Sequence, residues 1–168
     1  TGTNIGVRWT AERIRQIIES RVQPGLLILE KIMESSVKPK AYISASATGY
    51  YGTETSDKIF SESDPPAEDF LGKTCLLWES AAGLFAKAGV RTVIIRTGVV
   101  LSPQGGVLKK MILPVKMGIG SALGNGKQYM PWIHAQDWTR LVSWIIQNES
   151  ARGAFNATAP TPVTNAEF

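Results

Sequence analysis

The strongest constraint on the fold is an alternation of short apolar segments with long amphipathic ones. Residues 41–46 (AYISAS) and 92–96 (TVIIR) read as strands. Between them, residues 69–88 read as one helix, with Phe70, Cys75, Trp78, Ala82 and Phe85 near one face and Gly89 as its stop. A second amphipathic helix is predicted over 136–148, with Trp138, Leu141, Val142 and Ile145 inward, followed by a strand at 153–158. Strands separated by helices pair in parallel, and nearly all-apolar strands imply helices on both faces. The expected fold is therefore α/β, with residues 1–168 forming one unit. Only three or four strands are legible, which leaves a sheet edge to be covered.

Other elements are less regular. Two helices are expected before the first strand, over 11–20 with Thr10 as N-cap and over 25–35 started by Pro24. Residues 99–106 read as two valines running into a loop. Residues 107–117 read as a helix that Pro114 should break or kink. The Gly-rich stretch 118–128 is expected to be irregular, 129–134 to be a short strand, and 165–168 to begin a helix.

Composition narrows the function. The 168 residues are 43% hydrophobic and 19% charged, which excludes disordered and fibrous classes. One cysteine and one histidine, His134, exclude an internal disulfide, a Cys-rich zinc site and a His-His metal site. The net charge of +4 comes from scattered basic residues, so no nucleic-acid partner is expected. No apolar run approaches the ~18–20 residues of a membrane span, and no leader pattern appears. A cytoplasmic protein without a membrane or metal partner is expected.

Ser44, Ser46, Thr48, Tyr50 and Tyr51 cluster where the first strand ends. In open α/β sheets ligands bind beyond the carboxyl ends of strands, and hydroxyls there can bond a substrate carbonyl or hydroxyl. The plainer alternative is that the small serines let a helix pack closely.

These residues resemble a known family. The turn Ser46-Ala47-Thr48-Gly49-Tyr50-Tyr51-Gly52 is similar to the serine motif of extended short-chain dehydrogenases/reductases, the sugar-nucleotide epimerases and dehydratases. Arg8-Trp9-Thr10, Ser20-Arg21-Val22, Trp78-Glu79, Arg96 to Leu101, the 118–126 loop, Pro131 to His134 with Asp137, and Asn156 to Phe168 resemble one atypical, epimerase-like branch. Singly these motifs are weak; their order and spacing along the whole chain are specific.

The resemblance implies a Rossmann-like sheet, NAD or NADP as cofactor, and a small-molecule substrate of nucleotide-sugar type. It also implies a homodimer through helix 69–88. The family's usual Tyr and Lys lie four apart on the long helix, where lysine lowers the tyrosine pKa and tyrosine moves the proton. Here those slots fall on Leu71 and Cys75, and the supporting Asn slot falls on Arg21. Ser46 matches the retained serine. The implied reactive set is Ser46, Cys75, Arg21 and Tyr50, with Tyr51 beside it as a substitute acid/base from the same turn. The implied cofactor contacts are Gly2, Ser44, Ser46, Arg96, Gly98 and Val99, with Arg21 holding an anionic group. Cys75 as a nucleophile would need an electropositive setting; as a lone cysteine it otherwise reads as a small core hydrophobe. His134 and Asp137 read as residues that structure a helix start, and 118–126 as a substrate-side lid.

The family's glycine-rich phosphate turn is not in this sequence, and Thr1-Gly2 matches the loop after the family's fourth strand. The chain therefore resembles the middle of a protein of roughly 300 residues, within the size range that such folds occupy. Loss of both Tyr and Lys keeps a second reading open: a dinucleotide-binding or structural protein without turnover, linked to cell division.

Overall fold

The computed structural model describes residues 2–118, 120 and 124–168. Three strands, β1 (Ala41–Ala47), β2 (Arg91–Thr97) and β6 (Gly153–Ala157), form a parallel sheet in the order β1-β2-β6. The register sets Ser46 beside Arg96 and Arg96 beside Asn156. Helices cover both faces, as the apolar strands required. On one face lie α1 (Ala11–Glu34) and α2 (Phe70–Lys87), with α2 against β1 and β2. Tyr42 of β1 stacks on Phe85 of α2, with ring centroids 3.6 Å apart. On the other face, Val93 and Ile95 of β2 pack with Ile133 and with Ile145 of α4 (Ala135–Gln147). Period-2 alternation explains the split: Val93 and Ile95 point to α4, while Thr92 and Arg96 point to α2.

Four local expectations change. The two N-terminal helices are one, and Pro24 lies inside α1. The proline deprives the Ser20 carbonyl of its helical donor, a local cost of about 3 kcal/mol relative to alanine. Packing of α1 along α2 outweighs it. Likewise, α3 (Gly106–Lys116) runs through Pro114. Residues 99–102 are a strand, β3 (Val99–Ser102), paired in parallel with β5 (Trp132–His134). The predicted 129–134 strand is split, because Pro131 separates β4 (Tyr129–Met130) from β5; β4 pairs antiparallel with β7 (Val163–Thr164). The C-terminal residues keep the expected helix start: Thr164 Oγ1 accepts from the Glu167 N–H while Glu167 takes the Thr164 N–H, and the Phe168 N–H donates to the Thr164 carbonyl.

His134 caps α4, its Nδ1 accepting from the Gln136 N–H at 3.2 Å, and Asp137 in the first turn pairs with Arg140. Of the expected 118–126 lid, Ile119 and residues 121–123 lie outside the described residues.

Candidate functional site

The sheet ends in a short 3-10 turn, Thr48–Tyr51, that carries the chain off β1. Asp69 anchors the chain as it leaves this turn. It caps α2 by accepting from the Gly72 N–H at 2.8 Å, and its other oxygen takes the Thr53 N–H and hydroxyl at 2.9 and 3.0 Å. Burial alone would raise the Asp69 carboxyl, but these bonds outweigh it and hold its pKa below the usual value. The turn is thereby tied to the helix that carries the Leu71 and Cys75 positions.

Under the turn lies a buried polar network. Arg96, 4% exposed, grips Glu79, 9% exposed, with two parallel bonds: Nε to Oε1 at 3.0 Å and Nη2 to Oε2 at 2.9 Å. Ser46 donates its hydroxyl to the same Oε1 at 2.7 Å. The remaining Arg96 nitrogen donates to Tyr51 Oη at 2.8 Å and to the Glu62 carbonyl at 3.1 Å. Tyr51 bonds Asn156 Oδ1 at 2.7 Å, and the Asn156 N–H donates to Glu62 Oε1. The Tyr50 ring lies on the guanidinium, 3.5 Å from its carbon. Burial by itself would lower the Arg96 pKa; the Glu79 carboxylate and Tyr51 more than offset it, so the guanidinium stays charged. Burial raises the Tyr50 phenol.

The residues singled out in the sequence divide into three groups. Ser46, Arg96 and Tyr50 meet in this network, facing one another. Ser44 is buried on the same strand face, with its hydroxyl turned to the Ala45 carbonyl. Gly98 serves a close crossing: a Cβ there would stand 1.9 Å from the Pro131 carbonyl oxygen, while Val99 donates to that oxygen from the adjoining strand.

Arg21, Gly2 and Cys75 make the second group. The Arg21 guanidinium spans the Gly2 backbone, where a Cβ would come within 3.0 Å of its central carbon. It donates to the carbonyls of Thr3 and Ile17 and lies over Trp78 at 5.6 Å. Among the described residues no carboxylate pairs with it. Burial lowers its pKa and Cys75 opposes that slightly. Cys75 is buried, and burial followed by the Glu79 charge raises its thiol; Arg21 pulls it down only weakly. Gly49 of the turn packs on Leu71 and Cys75. Beside this turn Leu71 and Cys75 thus present a methyl-tipped side chain and a neutral thiol.

The third group is a cavity of about 730 Å³ opening from Thr48, Gly49 and Tyr51. Its walls are residues 52–60, 128–132, Asn156 and 158–162. Tyr51 lines it and Tyr50 does not. A volume in this range suits a small-molecule ligand.

Sequence reasoning took Glu79 only as a landmark and missed its central place. A signal was there: Glu79 is four residues from Cys75 and three from Ala82, on the inward stripe of the helix, where a lone charge demands a partner.

The sequence profile of the NAD dependent epimerase/dehydratase family matches residues 2–157. An epimerase family protein of Mycobacterium bovis is 39% identical over 99% of this chain, which spans 55% of that relative's length. The crystal structure of human epimerase family protein SDR39U1 (isoform 2) with NADPH superposes on 99% of this chain and 57% of its own, with a TM-score of 0.87 at 30% identity. UDP-glucuronic acid 4-epimerase from Bacillus cereus, solved with UDP-glucuronic acid and NAD, shares the fold at 16% identity, with a TM-score of 0.79 over 98% of this chain and 54% of its own.

Proposed function

The chain belongs to the NAD dependent epimerase/dehydratase family, and from that we propose that it forms part of an NAD(P)-binding, epimerase-like oxidoreductase acting on a nucleotide-sugar-like substrate. The observation that carries the reading is the Gly2–Arg21 cradle at the carboxyl end of the sheet. A half-buried guanidinium whose partners among the described residues are carbonyls retains donors for an anionic or carboxamide group, and a side chain at Gly2 would fill that space. The fit is local. Ser46 and Arg96 are spent on Glu79, so they shape the floor rather than reach a ligand.

A bound nicotinamide dinucleotide would supply hydride transfer. This chain's own residues would orient it through Arg21 and Gly2, and exclude water through Leu71 and Cys75. Neither of those two can relay a proton. The cavity beside Thr48 and Tyr51 is the place for the substrate. That the Ser46 hydroxyl is engaged by Glu79 favours a second reading, binding without turnover. A second copy would seat on α2, whose Leu76 and Leu77 are 41% and 48% exposed.

The test is titration of NADPH by its fluorescence, in the wild-type protein and in Arg21→Met. Saturable binding that weakens tenfold or more in the variant supports the reading. Binding that is absent in the wild type, or indifferent to Arg21, overturns it.

A further inference from the structure

We infer that the cavity beside Tyr51 selects an uncharged sugar ring over a uronic acid, a specificity set by Glu54 and Asp57. This rests on the proposal that the substrate is a nucleotide sugar. Four aromatic side chains, Tyr51, Phe60, Tyr129 and Trp132, contribute to the wall. Flat rings of this kind receive the C–H faces of a pyranose. Three polar groups stand among them with capacity left. The Thr48 and Thr158 hydroxyls make no hydrogen bond to another described residue, and Asn156 uses its Oδ1 on Tyr51 while its amide nitrogen is uncommitted. Hydroxyls of a sugar match that set of donors and acceptors.

The charges decide the rest. Among the described residues, Glu54, Asp57 and Lys58 are the charged ones on the wall. Lys58 is spoken for: its Nζ lies 2.7 Å from Asp64 Oδ1 and 4.7 Å from the Phe60 ring centre. The Glu54 and Asp57 carboxylates have no paired cation among the described residues. Among the described residues, a ligand carboxylate entering this space meets two like charges and no unpaired opposite one. Partial solvation leaves each repulsion at about the strength of one tenfold step or less in affinity. A neutral hydroxymethyl group in the same place meets none.

The experiment compares UDP-glucose with UDP-glucuronic acid, which carry the same nucleotide and differ at the sugar C6. Calorimetric titration is run on the protein with NADPH present, at low and at moderate ionic strength. The expected result is about tenfold tighter binding of UDP-glucose, a gap that narrows with salt. The Glu54→Gln/Asp57→Asn double variant, both positions being exposed, should fold unchanged by circular dichroism and shrink the gap to threefold or less. Equal or tighter binding of UDP-glucuronic acid by the wild type overturns this inference and leaves the nucleotide-sugar reading standing. A gap that survives in the double variant overturns the role of Glu54 and Asp57. Binding of neither compound, with NADPH still bound, overturns the nucleotide-sugar reading and this inference with it.

Discussion

The Ser46 hydroxyl lies 2.7 Å from Glu79 Oε1, the same oxygen that receives Arg96 Nε at 3.0 Å. A buried carboxylate is tolerated here because a serine and a guanidinium together satisfy it. Ser46 therefore ties strand β1 to helix α2. Removing one member of such a pair leaves the other charge buried without compensation. Glu79→Ala should destabilise the protein by about 3–5 kcal/mol, read as a lower midpoint in chemical denaturation. A Glu79→Leu/Arg96→Met double variant should lose less than Glu79→Ala alone. A loss equal to or greater than that of the single variant would show that the ion pair adds net stability. Ser46→Ala should cost about 1 kcal/mol, because Arg96 still holds Glu79.

Asp69 couples the turn to α2 and sets an acid limit. Its pKa is held below the ordinary carboxylate value, so its contribution is complete above the unfolded pKa. That contribution drains away as pH falls through the lower folded value. Asp64 behaves alike: hydrogen bonds from Lys58 and Ser61 bring its pKa to about 2. Stability should thus decline from about pH 4 downward, followed by thermal melts across that range. Asp69→Ala should remove about 1 kcal/mol at pH 7 as a lost cap and flatten part of that decline. A variant with the wild-type acid profile would rule Asp69 out as a contributor.

How much of the fold is legible in the sequence depends on the range of the forces involved. Strands β1, β2 and β6 and helices α2 and α4 were legible because burial imposes its period on each segment by itself. The continuity of α1 through Pro24 was not. Local propensity stops a helix at proline, and only contact with α2, more than forty residues away, keeps it running. Strand β3 was hidden because four residues between Gly98 and Pro103 carry no period; its pairing with β5 makes it a strand. At the site, Ser46 and Arg21 are singled out in the sequence through the resemblance. Their partners are not, since hydrogen bonds such as Ser46 to Glu79 join residues 33 apart. Which of the two adjacent tyrosines lines the cavity also depends on the turn geometry, and that geometry is set from Asp69.

Gly98 and Gly83 offer a matched contrast. At Gly98 a Cβ would stand 1.9 Å from the Pro131 carbonyl oxygen, and both strands are held there by Val99 N to Pro131 O and Gly98 N to Ala157 O. Neither backbone can yield without breaking those bonds. Gly98→Ala should cost about 3 kcal/mol or more. At Gly83, inside α2, nothing lies within 4 Å of a new Cβ. Gly83→Ala should stabilise by about 0.5–1 kcal/mol. Opposite shifts in denaturation midpoint are expected; a shift of the same sign in both would contradict the packing described at Gly98.

Cys75 is the remaining test of the site's chemistry. Burial and the Glu79 charge raise its thiol, and Arg21 offsets this only in small part, so at neutral pH the sulfur is protonated and covered. Nucleophilic attack needs the thiolate. In the native protein, reaction with Ellman's reagent at pH 7.5, a value chosen below the ordinary thiol pKa of about 8.5, should be at least a hundredfold slower than in urea. It should not quicken when Arg21 is replaced by methionine, which removes a cation that favours the thiolate. If native Cys75 instead reacts at the unfolded rate, and slows in Arg21→Met, the pair is an activated thiolate and cation. Covalent chemistry at Cys75 would then be the mechanism to pursue.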